Sequence, residues 1–477
     1  MANQKSDLGR VLFVNPDLYQ EDNHFPLGYG YMAAMLLQDG ADVSTFCMDV
    51  FHYTNSQLAD YLDRQEFDLI CVGFLAARFK ETIEELLKVI DAHSKNAWLV
   101  IGGPGPSPIP GWMLNNTPAD IVCIGESEDT IVELLRCKVE GGSPETVNGI
   151  AFSDGKSMYP TGPRKPIRDL DSIPFPAWDL FPMDRYTTCL SLWGMEPGDR
   201  TFGMITSRGC TDRCSFCYRM ESGIRFRSVE NVIEEIEILN ERYGVNCYFM
   251  NDELFAASKS RMVDFCDALQ GLDIKFSANA RVDKFSEEMA HLLQDSGCTF
   301  VNIGFESSSQ EVLDRINKRT TVEENVRAAE ICREIKIGFG LNFLWGLPGD
   351  TAESLLDNVE FIRKYTTYNQ LRTIRPVTCY PGSPLYYQAV AEGLLEGPGD
   401  FFDKFKNSDL MTVNFTDIDT KSCYLMLFAA NRDLIQDHQK YTDTPVIESE
   451  RLIEDFRRLY FENDISFRGA RHYEAKT

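Results

Sequence analysis

"SRGCTDRCSFCYRM", residues 207–220, places Cys210, Cys214 and Cys217 within eight positions. The chain has 14 cysteines in 477 residues, and random placement would give a C-x3-C-x2-C spacing roughly 0.01 times per chain. Most other cysteines stand singly in apolar runs, such as Cys71 in LICVG and Cys123 in IVCIG, where a thiol serves as a small hydrophobe. The amino-terminal MANQKSDLGR is polar, the apolar run VLFV is too short for a signal-peptide core, and no stretch reaches the length of a membrane span. A cytoplasmic protein without membrane contact is expected. Disulfides explain little in a reducing compartment, so the clustered thiols point to metal.

The formal charge of -26 and pI near 4.7 argue against extended contact with nucleic acid, which needs basic patches that release counterions. Working outward from the cysteines, TFGMIT (201–206) precedes them, and NCYFMN, IKFSAN, TFVNIG, GFGLNFLW and RTIRPVTCY follow. Amphipathic stretches such as SVENVIEEIEILNERYG separate these runs, so residues 201–385 read as six βα units, a partial (β/α)6 barrel with its site at the carboxyl ends of the strands. Upstream, VLFV, VSTFC, LICVG, WLVIGG and IVCIG alternate with helical patterns over residues 1–149, the signature of a five-stranded, doubly wound (Rossmann-like) α/β domain. Six prolines between Pro160 and Pro182 mark residues 150–200 as a mostly extended linker. Residues 386–477 read as an acidic helical region with no chemical motif.

Structural zinc would need a fourth ligand, usually in a second pair, and neither another C-x2-C nor an H-x3-H occurs. A [4Fe-4S] cubane has four irons, each wanting a ligand. Three thiolates leave one iron open to bind a small molecule.

With an aromatic residue, Phe216, before the last cysteine, this motif on the loop after the first barrel strand resembles the signature of radical S-adenosylmethionine (radical SAM) enzymes. The resemblance implies that Cys210, Cys214 and Cys217 hold the cluster, that SAM occupies the open iron, and that SAM is cleaved reductively to methionine and a 5′-deoxyadenosyl radical. An external one-electron reductant such as flavodoxin or ferredoxin is implied with it. The segments NDELF (251–255), SANARVD (277–283), GFESSSQEVLDRINK (304–318), LWGLPGDTAES (344–354) and YPGSPLY (380–386) look like those of the elongator-like branch. By that likeness Phe216, Ser277, Asn279, Arg281 and Glu306 are SAM-binding candidates, Arg281 because a guanidinium pairs well with a carboxylate. Each strand-end polar residue also has an ordinary reading as a helix cap. Asp252 and Glu253 read either as proton-handling groups or as solvated and SAM-facing ones.

A doubly wound domain ahead of such a barrel resembles the cobalamin-binding domain of B12-dependent radical SAM enzymes. IGGPGPSPIP (101–110) and IGESEDTIVELL (124–135) put glycine-rich turns at strand ends, so Gly102, Gly103, Gly125 and Glu126 are the cobalamin candidates. The likeness has departures. No D-x-H-x-x-G histidine follows the first strand, GFLAARF (73–79) has no Ser or Thr after the third, and His24 reads as a solvated loop residue.

The expected function is methylation of an unactivated centre of a small biosynthetic substrate. The alternatives are a radical dehydratase, epimerase, rearrangement or cyclisation enzyme whose first domain binds no cobalamin, and a non-catalytic iron-sulfur protein.

Overall fold

The apolar runs of the first 125 residues become the core of a parallel sheet in the computed structural model, which describes residues 8–18, 23–153 and 157–467. Its strands are β1 (Arg10–Asn15), β2 (Asp42–Cys47), β3 (Leu69–Gly73), β4 (Trp98–Gly102), β5 (Ile121–Cys123), β6 (Ile150–Ser153) and β7 (Met158–Pro160), in the order β2-β1-β3-β4-β5-β6-β7. The first five are parallel. Val11 to Val14 and Leu69 to Val72 are almost wholly buried, as strands covered on both faces must be. Order reverses between β1 and β3, and such a switch point opens a crevice at the carboxyl ends of the strands.

The expected five strands are thus seven, because β6 pairs antiparallel with β5 and β7 with β6. Ile150–Ser153 and Met158–Pro160, expected as the start of a linker, extend the sheet edge instead. The proline-rich remainder packs on the same unit. The Ala177 N–H donates to the Gly30 carbonyl at 3.0 Å, and Tyr186 donates to both oxygens of the buried Asp49 at 2.9 Å. Prolines lack donors but leave side chains free to pack, so a sequence that reads as a spacer is held along its length. The first unit runs to Ser191 and includes Arg200–Met204 and Arg219–Val245; the second comprises Leu192–Asp199, Ile205–Tyr218 and the chain from Asn246. These units are not the contiguous segments read from sequence.

After β8 (Thr201–Met204), β9 (Ser207–Cys210) and β10 (Gly223–Phe226) come β11 (Cys247–Met250), β12 (Lys275–Arg281), β13 (Cys298–Glu306), β14 (Gly338–Trp345) and β15 (Arg375–Pro376). All six expected strand segments of the barrel form strands. In the second unit β11 to β15 lie in the order β15-β14-β13-β12-β11, all parallel. Register fixes two faces, since side chains alternate along a strand. Ala278, Val301 and Phe339 form one row, and Ala280, Ile303 and Leu341 the next; all six are buried. The opposite face carries Ser277–Phe300–Gly338, Asn279–Asn302–Gly340 and Arg281–Gly304–Asn342. That face is polar and rich in glycine, as a lumen requires.

The region from residue 384 is helical as expected, with Pro384–Ala391, Pro398–Lys404, Thr420–Tyr441 and Val446–Glu462. Apolar side chains such as Leu427, Leu434, Leu452 and Phe456 are buried along the last two.

Candidate functional site

The cysteine loop is held from two sides by polar contacts, buried ones at its start. Asp252, which follows β11, is almost wholly buried and accepts from the Thr206 N–H at 3.1 Å, the Thr206 hydroxyl at 2.9 Å and the Ser207 hydroxyl. Burial raises its carboxyl above the ordinary range, and these donors oppose the shift. A carboxylate so enclosed anchors the approach to β9; of the two readings of Asp252, proton handling is not supported. Glu253 next to it is exposed.

Residues 316–319, distant in sequence, clasp the loop from the other side. The Ser215 N–H donates to the Ile316 carbonyl at 2.8 Å, the Asn317 amide to the Arg213 carbonyl at 2.7 Å, and Arg319 to Asp212 at 2.8 Å. Asn317 and Arg319 both adopt left-handed backbone (φ 51° and 57°), a conformation that non-glycine residues rarely take.

Arg281 joins these parts. Its guanidinium pairs with Asp212 at 3.2 Å and Asp283 at 2.9 Å, donates to the Lys318 carbonyl at 2.7 Å, and lies 3.6 Å from the Cys214 sulfur. Burial opposes its charge, but Asp283, Asp212 and Cys214 outweigh that and raise its pKa. Glu306 pairs with Lys318 at 2.7 Å, both nearly buried. A β-bulge between Gly304 and Glu306 and a φ of 64° turn its carboxylate back toward Gly304. Lys318 also lies 6.0 Å from the centre of the Phe216 ring, within cation–π range. Asn279 is exposed on the lumen row and donates to the Asp252 carbonyl at 3.4 Å; Ser277 is buried one row below. The SAM-binding candidates therefore share the end of the half-barrel that carries the cysteines, and Asp212 and Lys318 join them. Reading the sequence missed both: neither recurs in a spaced motif, and each takes its place through residues on other elements, Asp212 through Arg281 and Lys318 through Glu306 and Arg281.

The donors fit an iron-sulfur cluster in kind. Cys210, Cys214 and Cys217, half-buried, buried and exposed in turn, are in no disulfide, and burial raises Cys210 above the ordinary thiol range, opposed by the Asp212 N–H. Among the described residues no three Cys, His, Asp or Glu side chains converge on one point as ligands of a single ion would. A cubane takes each thiolate at a different iron and needs no such convergence.

In the first unit a cavity of about 480 Å³ opens at the carboxyl ends of β1, β3 and β4, beside the switch point. Phe25, Leu27, Phe74 and Leu75 make it apolar, and Gly102, Gly103 and Pro104 form one wall. Tyr29 seals its floor, donating to the Val14 carbonyl at 2.9 Å. Gly105 lets the loops after β3 and β4 touch: a Cβ there would sit 2.8 Å from the Phe74 carbonyl and 2.9 Å from the Ala76 nitrogen. Gly125 and Glu126 do not line this cavity. Glu126 is instead held by Arg225 at 2.7 and 2.9 Å and by the Ile167 N–H. His24, read as a solvated loop residue, is exposed at the cavity rim, and Arg78 lies in the lining. An apolar, glycine-walled crevice over strand ends suits part of a broad flat ligand such as a corrinoid.

Residues 204–362 match the family model described as the radical SAM superfamily, and residues 20–135 match that of the B12 binding domain. The chain is 30% identical over 380 residues to the uncharacterized methyltransferase PH0819 of Pyrococcus horikoshii, covering 78% of this chain and 79% of that protein. It is 29% identical over 365 residues to the anaerobic magnesium-protoporphyrin IX monomethyl ester cyclase of Cereibacter sphaeroides, covering 72% of this chain and 58% of the cyclase. Among solved structures, the cobalamin-dependent S-adenosylmethionine radical enzyme OxsB, with aqua-cobalamin and S-adenosylmethionine bound, superposes with a TM-score of 0.72. That match covers 95% of this chain and 72% of OxsB at 19% identity, a likeness of fold. The cofactors of such a pairing of domains are a [4Fe-4S] cluster, S-adenosylmethionine and cobalamin. The chain belongs to the radical SAM superfamily, among the enzymes that carry a B12-binding domain ahead of the radical SAM half-barrel.

Proposed function

We propose that this enzyme methylates an unactivated centre of a small-molecule substrate. The observation that carries the reading is the presence, on one chain, of a clasped three-cysteine loop at the open end of a half-barrel and an apolar crevice at the switch point of a B12-binding domain. When bound, the cluster with SAM supplies a carbon-centred radical and the corrinoid supplies a methyl group.

In this reading Cys210, Cys214 and Cys217 hold the cluster and the 316–319 clasp fixes their loop. Ser277, Asn279, Arg281 and Glu306 face SAM, with Phe216 beneath the Lys318 ammonium. Arg281 has two carboxylate partners of its own, so it acts first as the residue that orients the loop and screens the Cys214 sulfur. Gly102 and Gly103 wall the corrinoid; Gly125 and Glu126, with Arg225, brace the same unit. The reductant is an external one-electron donor of the flavodoxin or ferredoxin type. None of the 14 cysteines is in a disulfide, as suits a reducing cytoplasm; no helix among the described residues is long and apolar enough to cross a membrane.

Anaerobic reconstitution with iron, sulfide and hydroxocobalamin tests the proposal. Retained iron and cobalt, 5′-deoxyadenosine on reduction with SAM, and S-adenosylhomocysteine formed only when the corrinoid is supplied are the expected results. 5′-Deoxyadenosine without corrinoid-dependent S-adenosylhomocysteine would favour the second reading, a radical cyclisation or rearrangement, for which the cyclase relative speaks.

A further inference from the structure

The lumen face of the half-barrel carries a guanidinium with no carboxylate partner. Arg372 lies just before β15 and donates Nη1 to the Asn342 side-chain oxygen at 2.9 Å and Nη2 to that of Asn302 at 3.1 Å. Its Cζ is 5.7 Å from the centre of the Phe300 ring. Among the described residues its Nε is buried without a partner, so these two bonds use two of the five N–H groups that a guanidinium offers. The buried arginines among the described residues are neutralised, Arg227 by Glu235 and Arg281 by Asp212 and Asp283, and so is the half-buried Arg375, by Asp409; Arg372, half-buried like Arg375, is not. Burial alone lowers Arg372 to about 10.

The surroundings are built to hold this cation without cancelling it. Asn342 donates its own amide N–H to the Ile303 carbonyl at 3.0 Å, which aims its oxygen at the guanidinium. Asparagine accepts hydrogen bonds but brings no counter-charge. At Gly340, the lumen-facing residue between Asn302 and the sheet edge, any Cβ would run into the guanidinium. Leaving a half-buried charge without a counter-charge is destabilising, because the desolvation it suffers is not repaid by a partner. A fold that keeps one on a lumen wall keeps it for a ligand. Asn342 belongs to the Arg281 row, the one beside Cys214, so the guanidinium bridges that row and the Asn302 row before it.

We propose that Arg372, gripped by Asn302 and Asn342, is the anion subsite of the substrate pocket, and that the substrate carries an oxyanion, carboxylate or phosphoryl, that supplies the missing counter-charge. The inference rests on the reading of the second unit as the place of reaction. The net charge of -26 works against casual anion capture, so saturable binding has to come from a local site. Anchored there, the remainder of the substrate extends up the lumen toward the cysteine end.

The test is the line width of the ³¹P signal of inorganic phosphate and methylphosphonate, and the ¹³C signal of acetate, titrated into the reconstituted protein with its cluster reduced. The unpaired electron of a reduced cluster broadens a nearby nucleus. Saturable broadening is expected for the phosphoryl probes, for acetate, or for both, which also distinguishes the two oxyanions. Asn302→Asp places a carboxylate against the guanidinium; it should weaken binding at least about tenfold, as expected for loss of a charge-assisted contact, without lowering the melting temperature. No saturable broadening by any probe in the wild type, or unchanged affinity in Asn302→Asp, overturns the proposal. If that variant fails to retain iron, Arg372→Gln replaces it and unchanged affinity there has the same meaning. 5′-Deoxyadenosine formation without anion binding sinks the subsite and leaves the radical chemistry standing; anion binding without SAM cleavage does the reverse.

Discussion

Asn317 donates its side-chain amide to the backbone carbonyl of Arg213 at 2.7 Å, tying the cysteine loop to a residue 104 positions downstream. Removing one such bond costs about 1 kcal/mol, a factor of about five between held and released loop. Asn317→Ala should therefore retain less iron after reconstitution and desalting and lose it faster to a chelator. Iron analysis against Asn317→Asp, which keeps the shape but cannot donate, is the check. Equal retention in all three proteins would mean that the clasp is dispensable.

Arg281 sits between Asp212 and Asp283 with about 7% of its surface exposed. Arg281→Leu takes the buried guanidinium from both carboxylates, leaving Asp212 its half-exposed partner Arg319 and Asp283 only Lys284, and breaking a buried pair costs about 3–5 kcal/mol. Denaturant unfolding should show a loss of that size, partly restored by Arg281→Lys. A loss below about 1 kcal/mol, the range of surface pairs, would contradict the hub role.

Asp49, beneath the Tyr186 hydroxyl, is raised to about 6, mainly by burial, with Tyr186 pulling the other way. An unfolded aspartate titrates near 3.9. Because the folded value is the higher one, the contribution is favourable below about pH 4 and is lost as pH rises through about 6, roughly 3 kcal/mol in all. Asp49→Asn removes the titration. Relative to wild type the variant should gain stability between pH 4 and 7, which urea unfolding at several pH values would reveal; a flat difference would rule out the shifted carboxyl.

Gly105→Ala forces a Cβ against the Phe74 and Ala76 backbone, an overpacking cost of about 1–3 kcal/mol. The shift falls on the cavity wall in the first unit. Cobalt retained after reconstitution should drop several-fold with iron unchanged, and equal cobalt would show that the wall tolerates the displacement.

The spacing of the three cysteines, the doubly wound α/β class of the first domain and all six barrel segments were legible because each is a local pattern: a spacing, an apolar run, a period of two. That Ser277, Asn279 and Arg281 share one face was legible for the same reason, as alternate residues of one strand. Lys318, Asp212 and Arg372 were not, since each acquires its role from residues on other strands and loops. Glu126 shows the opposite failure. Its place after a glycine turn suggested a ligand contact, but a carboxylate takes the nearest guanidinium, and Arg225 lies 99 positions on. The proline-rich stretch misled because proline content reports missing donors and says nothing of side-chain burial.

The clasp also imposes an order on biosynthesis. The cysteine loop leaves the ribosome about a hundred residues before Ile316 to Arg319 are made, which at about 5–20 residues per second is a delay of several seconds or more. Through that interval the three thiols have neither Asn317 nor Arg319 to hold them. Iron delivered during that interval would meet an unrestrained loop, so a restrained one is available for cluster insertion only after the fourth strand of the half-barrel and the clasp that follows it have been synthesised.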